Sequence, residues 1–362
     1  MSPDAASVGG AEPLPTGGGA ESPRIGGAEP LRIGILGAAR IAELSIVKPA
    51  SATGQRLVAV AARDPRRAEA FAEQHGVERV HHTYDDLVAD PEVEVVYNPL
   101  ANVLHGPWNL RAIRAGKHVL SEKPFAANAP EAERVAEAAV AAGVTVVEAF
   151  HYPFHPLFQR VCELIASGAV GEVMRVDTVL RMAAPPDSDP RWDLALAGGA
   201  TMDLGCYALH CQRHLGLRFL GGEPSVVSGA ARERPGRPGV DESLSVELRF
   251  PSGAVGSAGS DMAAAGWDFH LTVTGTEGVL HVPDFPRPHE DDRLLLRREG
   301  EAEVVEHLGT RSSYTFQLEA LAAHLRQGAA LPYDVADTVP QAKLIDAAYR
   351  AAGLVPRPSL ET

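Results

Sequence analysis

Over residues 31–150 the chain alternates short, continuously apolar runs with longer stretches of helical periodicity. The apolar runs fall at 31–36, 57–62, 93–98, 118–121 and 144–150. The helical stretches fall at 41–50, 65–75, 105–115 and 130–142. A strand apolar at every position is buried on both faces, as strands of a parallel sheet are. Such strands alternating with helices predict a doubly wound parallel α/β sheet, a Rossmann domain, over 31–150.

After residue 150 the period changes. Residues 155–168 read as a helix ending in Gly168, and 173–180 as a strand. Leu244, Val246, Leu248 and Phe250 then alternate with Ser243, Ser245, Glu247 and Arg249. Segments 269–275 and 278–282 read as a hairpin around Thr276-Glu277, and 315–327 and 340–352 as closing helices. Alternation with period two marks strands with one covered face. Residues 151–362 are therefore expected to form an α+β substrate domain around an open, largely antiparallel sheet. An exposed apolar sheet face is a liability, so that face is the expected homodimer or homotetramer interface. Residues 1–30, rich in Gly, Pro, Ala and Glu and repeating Gly-Gly-Ala-Glu-Pro-Leu, read as a disordered tail without a secretory signal.

Composition narrows the function. With 33 basic against 47 acidic residues the net charge is −14, which argues against a nucleic-acid or anionic-membrane partner. No apolar run approaches the roughly 20 residues of a membrane span. The 3 cysteines, Cys162, Cys206 and Cys211, suit a reducing, cytoplasmic compartment and read as small buried residues without a metal.

Candidate chemistry sits where the expected strands end. Gly37-Ala-Ala-Arg-Ile-Ala42 follows the first, the place of a dinucleotide-binding turn, although Ala39 and Ala42 replace the second and third glycines of the strict pattern. Gly37, Ala39, Arg40 and Ile41 are the candidate pyrophosphate contacts. After the second strand comes Arg63 where an NAD enzyme carries an acid, which favours NADP over NAD. The alternative is a solvated loop before a helix started by Asp64-Pro65. Leu100 and His105 follow the third strand, and Glu122-Lys123-Pro124 the fourth. A lysine after a strand usually only solubilises, but at the carboxyl edge of a cofactor sheet its ammonium can stabilise charge on a substrate oxygen. Glu122 can orient or tune it. In Gly198-Gly-Ala-Thr-Met-Asp203-Leu-Gly-Cys-Tyr207, a helix would place Asp203 and Tyr207 on one face. A phenol beside an ammonium is expected to have a lowered pKa and to exchange protons with an alcohol or ketone; a core tyrosine is the competing reading. His210 reads as packing.

These motifs together resemble the Gfo/Idh/MocA oxidoreductase superfamily, in its glucose–fructose oxidoreductase, dihydrodiol dehydrogenase and deoxysugar ketoreductase-like branch. The resemblance runs over nearly all of 31–350. It implies an NADP or NAD cofactor and a polyol or sugar-like substrate, with Lys123 and Tyr207 catalytic. It further implies Asp203 and Arg191 as substrate contacts, and Leu100, His105, Glu122 and Lys123 beside the nicotinamide. The activity implied is hydride transfer with a secondary alcohol or ketone of a sugar, sugar derivative or cyclic diol. A glycosidase using transient oxidation, or a non-catalytic NADP sensor, is the alternative; net turnover of free cofactor separates them.

Overall fold

The computed structural model describes residues 29–360. The expected tail lies outside the described residues except for Glu29 and Pro30, whose carbonyls both accept hydrogen bonds from Arg326. The chain runs β1 (Arg32–Leu36), α1 (Arg40–Ala42), α2 (Lys48–Thr53), β2 (Arg56–Ala61), α3 (Pro65–His75), β3 (Val80–His81), α4 (Tyr84–Ala89), β4 (Val95–Asn98), α5 (Asn102–Arg114), β5 (His118–Ser121), α6 (Ala129–Ala142) and β6 (Val146–Glu148). These six strands form one parallel sheet in the order β3-β2-β1-β4-β5-β6. The order reverses between β1 and β4, which opens a crevice at their carboxyl ends. Two apolar clusters cover the sheet, one on each face.

Local signals set the helix ends. Asp64 accepts the Arg66 amide and Pro65 opens α3; Asn128 accepts the Glu131 amide and starts α6. Gly76 and Gly143 end these helices in the left-handed conformation. Several boundaries differ from expectation. The first helix is longer than 41–50 and is interrupted by a π-helical turn at Glu43–Val47. Helix α5 begins at Asn102, so His105 lies inside it rather than at its start. The short β3 and α4 give too little periodicity to be read.

The second half contains α7 (Pro156–Ala166), β7 (Val173–Arg181), α8 (Cys206–Phe219), β8 (Ser225–Glu233), β9 (Asp241–Arg249), β10 (Val255–Asp261), β11 (Leu271–Gly275), β12 (Gly278–Val282), β13 (Arg293–Arg298), β14 (Val304–His307), α9 (Ser313–Gln327) and α10 (Val335–Ala351). Its eight strands are ordered β14-β13-β12-β11-β7-β10-β9-β8, antiparallel except for β10 beside β7. Helix α8 covers one face, and Gln212 donates to the Val176 and Ser257 carbonyls at 2.9 and 2.8 Å. Helix α10 packs on α6 and α9 on α2, so the closing helices also cover the parallel sheet. The open face is more polar than expected, with Arg175 and Ser257 bonded to Asp177 and Thr272 to His281, and half-buried Val179, Val255 and Val279 standing among them. Among the described residues no helix is long and apolar enough to cross a membrane.

Candidate functional site

A cleft of about 730 Å³ lies between the carboxyl edge of the parallel sheet and the second half of the chain. On the sheet side, Gly37 turns the chain with φ of 89° and donates its amide to the Ala61 carbonyl at 2.6 Å. A side chain there would be strained, and its Cβ would press on Leu100. No side chain caps the start of α1 at Ala39, which leaves backbone amides for an anionic ligand. An uncapped turn lining the cleft fits the anionic part of a dinucleotide.

Ala39, Arg40, Ile41, Leu100, His105, Glu122, Lys123, Arg191, Asp203 and Tyr207 all line the cleft; Gly37 and Arg63 lie outside that lining. Arg63 is exposed just beyond β2, which ends at Ala61 and not Ala62, while Arg67 donates to the Ala38 carbonyl at 2.8 Å. His105 is 1% exposed and bridges two loops, with Nδ1 2.7 Å from the Pro124 carbonyl and Nε2 2.8 Å from that of Leu100. Both partners are acceptors, so the neutral ring donates to one carbonyl at a time and sits wedged between the two loops. Glu122 is buried and accepts the Tyr97 hydroxyl at 2.8 Å.

Asp203 and Tyr207 reach the cleft from a helix with an unusual start. Gly199, at φ of 127°, precedes a π-helical turn, Thr201–Gly205, in which the Cys206 amide reaches back to the Thr201 carbonyl. The Lys123 ammonium donates to the Asp203 carbonyl at 2.8 Å and to Oδ1 at 3.2 Å; Arg191 donates to Oδ2 at 3.0 Å. Arg191 also holds Asp189 at 3.0 Å, and Asp189 in turn lies 3.5 Å from Arg40. A chain of alternating charges thus crosses the cleft from Arg40 to Lys123.

The ammonium sits over the Tyr207 ring, 5.1 Å from its centroid, and its hydrogen bonds go to Asp203 and not to the phenol oxygen. This corrects the expected lowering of the phenol's pKa. Burial is the largest influence and raises it well above the ordinary value, with Tyr314, Glu122, Cys206 and Asp203 adding to the shift. The phenol instead pairs with His151 Nε2 at 3.0 Å, and His151 Nδ1 with Ser313 Oγ at 2.7 Å. Sequence reasoning misses His151 and Tyr314; the Glu148–Pro156 stretch lacks any periodicity that marks a site residue. His210 lies in a separate network, bonded to Tyr152 at 2.7 Å and stacked on Phe150. Burial opposes the charge on Lys123, but Asp203, Cys206 and Glu122 outweigh it and raise its pKa. Burial likewise opposes the Asp203 carboxylate, and Lys123 and Arg191 overcome it, lowering its pKa.

Burial holds the His105 ring down to about 4 and the His214 ring to about 3. Both are neutral in the folded chain, while the unfolded chain takes up their protons near pH 6.5. Stability contributed by the neutral rings is therefore present above pH 6.5 and lost as pH falls toward 4. The unfolding free energy from urea titration is expected to drop steadily from pH 6.5 to 4.5, at about 1 kcal/mol per ring per pH unit, and the midpoint with it. A midpoint constant over that range would show that the rings protonate in place.

Family models match both parts of the chain. Residues 31–150 match the oxidoreductase family with an NAD-binding Rossmann fold, and 158–281 match the Gfo/Idh/MocA C-terminal domain. The chain belongs to the Gfo/Idh/MocA oxidoreductases. A D-xylose 1-dehydrogenase (NADP(+)) of Haloferax volcanii is 35% identical over 88% of the chain and 96% of its own length. A dTDP-3,4-didehydro-2,6-dideoxy-α-D-glucose 3-reductase of Streptomyces violaceoruber is 34% identical over the same shares. Among solved structures, a 3-ketoreductase from Actinomadura kijaniata in complex with NADP and TDP-benzene superposes with a TM-score of 0.80. Its identity is 26%, over 89% of this chain and 98% of that one. This Gfo/Idh/MocA protein is an NAD(P)-dependent oxidoreductase acting on CH–OH groups.

Proposed function

We propose that this enzyme interconverts a secondary alcohol and a ketone on a sugar, sugar derivative or cyclic diol, with NADP preferred. The observation that carries the reading is the convergence of Lys123, Tyr207, Asp203 and Arg191 in the cleft faced by the uncapped Ala39–Ile41 turn. When bound there, the nicotinamide supplies or accepts the hydride. Lys123 polarises the substrate oxygen, and Tyr207 exchanges a proton with it. Asp203 and Arg191 hold neighbouring hydroxyls, each exchanging part of its present pairing for the substrate. Trp267, 57% exposed at the rim and held 4.6 Å from the Arg287 guanidinium, offers a ring face to the substrate. The division at residue 150, a cytoplasmic location, and a homodimer or homotetramer through the open sheet face belong to the same reading.

NADPH is expected to bind at least tenfold more tightly than NADH, because exposed Arg63 can meet a 2′-phosphate by a charge-assisted contact of about 1.5–3 kcal/mol. Fluorescence titration of both cofactors, repeated on Arg63→Ala, measures this. Equal affinities in the native chain would discard the preference. Turnover of NADP+ against a panel of aldoses, polyols and cyclic diols tests the reaction itself, and no net turnover with any of them would overturn it.

A further inference from the structure

We infer that His151 stands behind Tyr207 as the acceptor of the phenol's own proton, with Ser313 fixing the imidazole tautomer that makes this possible. The inference rests on the reading of Tyr207 as the proton-exchanging group.

The geometry is built from separate parts of the chain. Tyr207 comes from α8, Ser313 opens α9, and His151 sits in the link after β6. His151 is 2% exposed, bonded at both nitrogens, and its ring lies 3.7 Å from that of Tyr314 at 32°. The imidazole is thus fixed in place and in plane. Tyr207 meanwhile cannot hold a bare phenolate. It is buried, and Lys123, placed over its ring, makes no hydrogen bond to its oxygen. A buried phenol that takes a proton from an alcohol must release its own as it does so, and of its neighbours at the oxygen, the Tyr314 hydroxyl and His151 Nε2, only the imidazole offers a basic lone pair.

In the oxidation direction the alcohol O–H bond breaks and that proton passes to Tyr207 Oη. The phenol's former proton moves to His151 Nε2, and the C–H electron pair leaves as hydride to the oxidised nicotinamide while the carbonyl forms. Before the step, His151 Nδ1–H donates to Ser313 Oγ, which leaves the Nε2 lone pair facing the phenol. Afterwards both nitrogens donate. Reduction reverses each transfer, so one hydrogen-bonded row serves both directions.

The groups facing His151 are Tyr207 from α8, Ser313 and Tyr314 from α9, Lys123 after β5, His155 from its own segment and His289 from the loop before β13. Burial lowers its pKa well below the ordinary range, and His289, Lys123 and His155 add to this. The ring is therefore neutral at rest, and the imidazolium formed in the step returns its proton through Tyr207 Oη to water in the cleft once the ketone has left.

The test uses His151→Phe and Ser313→Ala in the full chain, with NADP+ and the alcohol from the panel that turns over fastest. His151→Phe is expected to lower kcat by about 10²-fold, within the range for a displaced acid–base group, while KM stays within about threefold. Its kcat should climb with pH between 6 and 9, where the native profile is flat, because hydroxide must replace the lost acceptor. Ser313→Ala keeps the ring but frees its tautomer; kcat should fall by about fivefold, with the same tilt of the pH profile. This second variant decides the matter if His151→Phe does not fold. Native kcat and pH profile in the folded variants would make His151 a packing residue. If Tyr207→Phe also keeps native kcat, the reading of Tyr207 itself fails; if only the His151 and Ser313 variants do, the inference alone is overturned.

Discussion

Replacing Lys123 by alanine should reduce turnover by at least about 10³-fold while dinucleotide affinity stays within a few-fold. The ammonium is the cleft's positive charge nearest the Asp203–Tyr207 pair, and charge stabilisation of this kind supplies several kcal/mol to a transition state. The fold should survive, because Asp203 keeps its bond to Arg191 at 3.0 Å. Tyr207→Phe should lower kcat by about 10²–10⁴, the span for losing a positioned acid–base group. The double variant should be little worse than Lys123→Ala, since groups acting on one oxygen are not additive. Stopped-flow and steady-state kinetics, with cofactor titrations alongside, measure all three. A Tyr207→Phe variant with native kcat across pH would make the phenol a core tyrosine. A multiplicative double variant would show that the two groups act on different steps.

The largest stability effect is expected at Arg357, far along the chain from the cleft. Arg357 and Asp241 form an ion pair with both side chains fully buried. The guanidinium also donates to the Gly198 and Gly239 carbonyls at 2.6 and 2.8 Å, and Asp241 accepts the Thr201 amide and hydroxyl at 2.7 and 2.6 Å. The last described strip of chain thus pins the turn from which the Asp203–Tyr207 segment starts. Gly199 is required in that turn: besides its positive φ, any Cβ would overlap the Asp241 carboxylate. Arg357→Ala leaves an uncompensated buried carboxylate, which costs about 3–5 kcal/mol. That is a large part of the roughly 5–15 kcal/mol that holds a domain folded. Burial already raises the Asp241 pKa against the pull of Arg357. Without the guanidinium the folded chain favours protonated Asp241, so the deficit should shrink as pH falls from 7 to 5. Urea unfolding at both pH values checks this, and a loss under about 1 kcal/mol at pH 7 would show that water or another cation takes over.

The parallel sheet was legible because strands buried on both faces leave continuous apolar runs, and Asp64-Pro65 marked a helix start. Strand β8 was not, because its positions are almost all exposed or half-buried, and β10 is nearly all small residues where α8 lies close against it. The sheet-side cleft residues came from their places after strands, a rule that topology supplies, whereas Asp203 and Tyr207 came from helical spacing and Arg191 from the family resemblance alone. His151 escaped because its role depends on a side chain 56 positions away, which no local pattern encodes. The direction of the phenol's pKa shift is hidden for a related reason. Proximity of Lys123 and Tyr207 could be inferred, but whether the ammonium meets the oxygen or the ring face is a matter of rotamers.

The π-helical turn at Thr201–Gly205 has a meaning in terms of chain length. A π turn holds one residue more than the α turn it replaces. Removing a single residue between Thr201 and Gly205 would let the segment relax to an α-helix while α8 keeps its direction, because a π turn of one more residue closes nearly the same angle as the α turn it replaces. The change would fall inside the turn, on the backbone that carries Asp203 and offers its carbonyl to Lys123. The Cys206 amide would also lose its reach to the Thr201 carbonyl. The extra residue thus serves the aspartate and its carbonyl, and the helix that follows could be built without it.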